Sequence, residues 1–101
     1  MIQLETGKER LKVYIINKIL STFWKYQQEH FGREITSKRW TFTVGRFHPE
    51  AFGFESAIKE LAEMGYVFFD YKTMQFGLTD RGIEFCKENE DQLNLTNVFT
   101  F

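Results

Sequence analysis

The sequence predicts an α+β domain, rich in helix and carrying one β-hairpin. Three observations lead there. A long segment from about residue 8 to residue 30 keeps apolar residues at helical spacing. A second helical period, Phe54, Ile58 and Leu61, stops at Gly65. Two short apolar runs, 66–69 and 74–78, then flank a polar turn at 70–73. At 101 residues the chain has the length of one domain, 1–101.

The elements follow in order. Thr6 and Glu9 stand at capping-box spacing, in which each side chain bonds the other residue's backbone N–H. The first helix is expected from about Lys8 to His30, with Phe31-Gly32 ending it. On a helical wheel Leu11, Val13, Ile15, Ile16, Ile19, Leu20, Phe23, Trp24 and Tyr26 fill more than half the circumference, wider than the stripe one core needs. Asn17, Lys18, Ser21 and Lys25 hold the remaining arc. Either the domain wraps this helix, or a second chain shares it.

Residues 33–48 are harder to read. Glu34-Ile35-Thr36 suits a short strand, and Ser37 could cap a short helix through Lys38, Arg39 and Trp40. Thr41 to Val44 has strand propensity, so helix and strand stay equally open over 38–44. Pro49 suits the first position of the next helix, which runs to Met64. Gly65 supplies the left-handed residue that closes it. The hairpin should pair 66–70 with 74–78. Thr79 then caps a helix that passes Ile83, Phe85 and Cys86 to about Gln92, with Asp80 in its first turn. The tail, 95–101, is apolar and uncharged, as a docked strand or a frayed end would be.

Composition narrows the function. Hydrophobic residues make up 43% and aromatic residues 18%, twelve of them Phe, enough for a core. The net charge of −1 excludes a uniformly basic nucleic-acid binder. One cysteine excludes an intrachain disulfide and a Cys-rich zinc site. No run reaches the roughly 20 apolar residues of a membrane span, and 1–10 lacks the apolar core of a signal peptide, so a cytoplasmic location is expected. His30 and His48 lack further ligands at metal-binding spacing, so neither a metal nor another cofactor is expected. Cys86 has no neighbouring base and reads as a small buried hydrophobe. No P-loop, GxGxxG or GxSxG is present, and an enzyme is not expected. Asn94-Leu95-Thr96 matches a glycosylation sequon by chance.

Two stretches carry a resemblance. Ser56-Ala57-Ile58-Lys59-Glu60-Leu61-Ala62-Glu63-Met64-Gly65-Tyr66-Val67 resembles the third helix of a winged-helix domain and its glycine exit into the first wing strand. Leu78-Thr79-Asp80-Arg81-Gly82 resembles the step from the second wing strand into a closing helix, common in MarR-like and PadR-like winged helices. The resemblance covers about residues 50–90 and the long first helix. It implies a winged-helix fold and a DNA-binding, transcription-regulator-like function, with the third helix in the major groove.

The residues themselves divide on this point. Glu50, Glu55, Glu60 and Glu63 accompany a single base, Lys59, on that helix, and carboxylates are repelled by phosphate. The wing turn offers only Lys72. Residues 1–50 carry nine basic and five acidic side chains, and residues 51–101 carry four and nine. The densest basic cluster is Arg33, Lys38, Arg39 and Arg46, with Trp40 and His48 interleaved. Double-stranded DNA would therefore meet Arg33, Lys38, Arg39, Trp40 and Arg46 first, with Lys59 and Lys72 behind them. A solvated polar face explains the same charges. Phe42, Phe47, Phe52 and Phe54 could stack on nucleobases, though core packing and an interaction surface suit them better. The alternative function is a protein-interaction module on the same scaffold, such as a small phage or host-defence factor or an adaptor. Val13, Ile16, Leu20 and Trp24 are the candidate contacts of a homodimer through the first helix, the mode by which MarR-like and PadR-like proteins pair.

Overall fold

The computed structural model describes residues 7–43, 54–94 and 98. Over these the chain runs α1 (Gly7–Phe31), β1 (Thr41–Thr43), α2 (Phe54–Glu63), β2 (Val67–Asp70), β3 (Gln75–Leu78), α3 (Asp80–Glu88) and α4 (Glu90–Leu93). The strands form one antiparallel sheet in the order β1-β3-β2. The α+β class and the hairpin stand as the sequence indicates.

α1 is wrapped by its own chain. It packs against α2, α3 and α4, and Ile15, Ile19, Leu20, Phe23 and Trp24 are all buried. Each such side chain contributes about 1.5–3 kcal/mol by leaving water. The polar arc is narrower than the wheel suggests. Ser21 is buried as well, because its Oγ donates to the Leu93 carbonyl at the end of α4. The helix ends at Gly32, whose φ of +82° is the left-handed conformation that a residue without a Cβ adopts readily. Thr6 lies outside the described residues.

Between α1 and β1 no strand forms over 34–36 and no helix over 38–40. The reason is Gln27. Its buried side-chain amide donates to the Lys38 carbonyl, and its oxygen accepts from the Trp40 N–H at 2.8 Å. The backbone of 38–40 thus bonds α1 rather than itself, and Ser37 caps nothing helical. The strand alternative holds only from Thr41. Arg46, Phe47, His48, Pro49 and Phe52 lie outside the described residues.

α2 buries Phe54, Ala57, Ile58 and Leu61. It closes with paired bonds, Gly65 N to Ala62 O and Tyr66 N to Leu61 O, around Gly65 at φ +82°. This glycine-closed turn reverses the chain into β2. Each hairpin strand is one residue shorter than expected, the first without Tyr66 at its outer end and the second without Met74 at its turn end, and Val67 pairs with Leu78 and Asp70 with Gln75. Met74 belongs to the turn, not to the strand, at φ +58°. Asp70 Oδ1 accepts from Lys72 N and organises that turn. Val67, Phe69, Phe76 and Leu78 face the core with Phe42, and Phe69–Phe76 and Phe42–Phe76 ring contacts link the strands.

The closing helix is two helices. Asn89 interrupts it, donating from its backbone to Phe85 and Cys86 carbonyls and from its side chain to Phe85. Of the tail, Val98 is described and half-buried. Residues 95–97 and 99–101, where a docked strand or a frayed end is expected, lie outside the described residues.

Candidate interaction surface

The step from β3 into α3, which carries half of the family resemblance, is held together by its own residues. Thr79 Oγ1 accepts from Gly82 N at 3.0 Å and donates to the Gly65 carbonyl at 2.6 Å. Thr79 N donates to the Tyr66 carbonyl at 3.1 Å. A Cβ on Gly82 would stand 2.0 Å from that same carbonyl oxygen. Threonine and glycine three residues apart are thus what lets α3 start directly against the exit of α2. The Thr79–Gly82 pair performs folding work, while Asp80 and Arg81 between them are exposed.

Two of the three described bases of the cluster, Arg33 and Arg39, already hold carboxylate partners within the chain. Arg39, whose side chain is only 12% exposed, pairs with Asp80 and donates from Nε to the Leu78 carbonyl at 2.7 Å. β1 starts only at Thr41, so this guanidinium takes the place of a strand partner at the end of β3. Arg33 pairs with Glu90 and lies over the Trp24 ring, 5.7 Å from its centroid. Trp24 Nε1 donates to the same carboxylate at 3.1 Å. The Arg33 hydrogen bond, with help from Trp24, holds the Glu90 carboxyl below its ordinary range against a smaller opposing effect of burial. Trp40 is half-buried and stacks on Tyr26 at 4.6 Å. Lys38, Lys59 and Lys72 are exposed.

The four residues assigned to a dimer through α1 do not form one exposed face. Leu20 and Trp24 are interior to the single chain, at 1% and 2% exposure. Val13 is exposed and Ile16 is half-buried against the core. The width of the apolar wheel reflects wrapping by α2, α3 and α4, so no such four-residue contact is available.

The outer surface holds the acidic side of α2 that the sequence indicates and, at the hairpin tip, two groups the sequence reading passed over. On α2, Glu55, Lys59 and Glu63 are exposed and Glu60 is half-exposed. At the tip of the hairpin Tyr71 is 82% exposed and Met74 is 59% exposed. Tyr71 stands edge-on to Phe69 at 4.6 Å, and so its ring is oriented by a side chain that is itself anchored in the core. The available signal was Tyr71-Lys72-Thr73-Met74 itself, because hairpin turns favour Gly, Asn and Asp where this one places aromatic and thioether groups.

Among the described residues no group of three His, Cys, Asp or Glu side chains could hold a metal. The Cys86 thiol is buried, and burial, with a smaller contribution from Glu90, pushes it up to about 12, which removes the thiolate a nucleophile needs. A cleft of about 350 Å³ between α1 and the end of α4 is walled by Ser21, Trp24, Lys25, Gln28, Glu29 and Leu93, with Val98 at its edge. Among the described residues no helix is long and apolar enough to cross a membrane. Comparison with protein-family models, with curated proteins and with solved structures gives no match.

Proposed function

We propose that this chain is a protein-interaction module on a winged-helix-like scaffold. Several features support the scaffold. A strand precedes α2, α2 passes through Gly65 into a hairpin, and the sheet order is β1-β3-β2, with a closing helix behind it. The observation that carries the functional reading is the commitment of the basic cluster. Arg33 and Arg39 already neutralise Glu90 and Asp80, so transferring them to phosphate would cost the fold two ion pairs. The exposed side of α2 presents Glu55 and Glu63 against Lys59, which repels a phosphate backbone. The oriented Tyr71 and the exposed Met74 are the kind of apolar anchors on which protein interfaces concentrate their energy. The partner would present a cleft for them and a basic rim for the α2 carboxylates.

A photo-crosslinking phenylalanine analogue placed at Tyr71 tests this in the cell that makes the protein. It should give a discrete protein adduct that the same group at the exposed Glu84 does not. Titration of a labelled DNA duplex at low salt should show no binding.

The second reading is DNA binding by a transcription-regulator-like protein. It is favoured by Lys38, Lys59 and Lys72, which remain exposed. Tight duplex binding whose log K falls steeply against log salt would establish this reading and displace the first.

A further inference from the structure

We propose that β2 is a docking edge for a second copy of this chain, the two β2 strands pairing antiparallel to join both sheets into one. This inference does not depend on the partner assigned above. The order β1-β3-β2 leaves β2 at the border of the sheet. The direction of its backbone groups follows from one bond. Thr79 N donates to Tyr66 O, and the register that sets Val67 opposite Leu78 sets Tyr66 opposite Thr79. Bonded and non-bonded pairs alternate along an antiparallel ladder. The bonded pairs are therefore Tyr66–Thr79, Phe68–Gly77 and Asp70–Gln75. Val67 and Phe69 turn their N–H and C=O groups away from β3, toward the open side. The other border of β3 agrees with this phase, since Leu78 O points away from β2 and is taken by Arg39.

Nothing in β2 obstructs a new strand. It reads Val-Phe-Phe-Asp, with no proline, lysine or arginine to blunt the edge. Among the described residues no other strand borders it. The occupant is set by self-complementarity. If Val67 faces Phe69 of the second copy and Phe69 faces its Val67, both outward residues on each chain bond fully. The two-fold axis then passes between the two Phe68 residues. Asp70 faces Tyr66 of the second copy, so no charge meets its like. Phe68 lies on the outer side of the sheet over Gly77, whose missing side chain leaves the ring next to bare backbone. Pairing sets the two Phe68 residues opposite each other at a non-bonded position of the new ladder, with each ring leaning back over its own Gly77. So short a strand buries little surface, and the dimer is accordingly weak.

Sedimentation velocity from about 10 µM to 1 mM, the range suited to a small interface, should show a monomer giving way to a dimer. Over the same range, hydrogen exchange at the Val67 and Phe69 amides should slow as concentration rises. Exchange at Phe68 and Asp70, which bond β3 in either state, should not change with concentration. Phe68→Cys should form an intermolecular disulfide under mild oxidation, because opposed non-bonded residues bring Cα atoms to about 4.5 Å. Asp70→Cys, which faces Tyr66 rather than its own mate, should not. Phe68→Lys should hold the chain monomeric with its helix content unchanged. A monomer at every concentration overturns the proposal. So does a dimer whose Val67 and Phe69 amides exchange at the monomer rate, since it would associate elsewhere. Were an added extended peptide to protect those two amides while the chain stays monomeric, the edge would belong to a foreign strand and not to a second copy.

Discussion

Gly82 separates two physical accounts of the same residue. It lies in the first turn of α3, where helix propensity alone says that alanine should stabilise the protein by up to about 1 kcal/mol. Packing says the opposite. A Cβ there would stand 2.0 Å from the Tyr66 carbonyl oxygen and 3.0 Å from Leu78 Cδ2. The oxygen belongs to the backbone and has no rotamer into which to retreat. α3 would have to move away from the α2–β2 connection. That displacement pulls on the Thr79 N bond to Tyr66 O and the Thr79 Oγ1 bond to Gly65 O. Overpacking costs about 1–3 kcal/mol and each of the two strained hydrogen bonds about 1 kcal/mol, which leaves roughly 3 kcal/mol after the propensity gain of about 1 kcal/mol is subtracted. For a chain of this size that lowers Tm by roughly 12–24 °C. Thermal unfolding of Gly82→Ala, followed by circular dichroism beside urea denaturation, measures it. Gly32→Ala is the comparison: its φ is +82° but its Cβ would meet nothing within 4 Å, so it should lose only the left-handed backbone cost of about 1–2 kcal/mol. A Gly82→Ala protein at or above the wild-type Tm would refute the close approach, and with it the structural account of the Thr79–Gly82 spacing.

Three further outcomes are expected. Gly77→Ala should cost less than about 1 kcal/mol in urea denaturation, although its Cβ would come within 2.6 Å of Phe68, because the atom it meets is the far end of a ring that can swing outward. Gln27→Leu should destabilise the protein by about 1–3 kcal/mol in the same assay, since it removes the acceptor of the Trp40 N–H, while the Lys38 carbonyl keeps the Arg39 Nη1 donor at 3.0 Å. Glu90 should confer stability that is present above the ordinary glutamate range and is lost as pH falls through its lowered folded value, because the unfolded chain takes up that proton first. The Tm difference between wild type and Glu90→Gln should therefore stay constant above about pH 5 and close as pH falls below 4. A difference that widened on acidification would show that the Arg33 and Trp24 contacts do not favour the ionised carboxylate.

Local chemistry made α1, α2, the hairpin and α3 legible in the sequence, since each depends on contacts within a few residues. The period of Phe54, Ile58 and Leu61, the glycine exit at Gly65 and the Thr79 cap all appear where they were read. The route of residues 33–40 was not legible, because a glutamine on α1 holds Lys38 and Trp40 from more than ten positions away. The same distance in sequence hid the fate of the basic cluster. Arg33 and Arg39 read as free cations until the fold set Glu90 and Asp80 beside them, 57 and 41 residues later in the chain. Likewise the wide apolar wheel of α1 announced that something covers it, and only the packing of α2, α3 and α4 determined that its own chain does so at Leu20 and Trp24. Hydrophobic period and capping are properties of a segment and can be read from it. Whether a charge is spent, or an apolar face covered, depends on which distant segment arrives there, and that is decided when the sheet and helices close on one core.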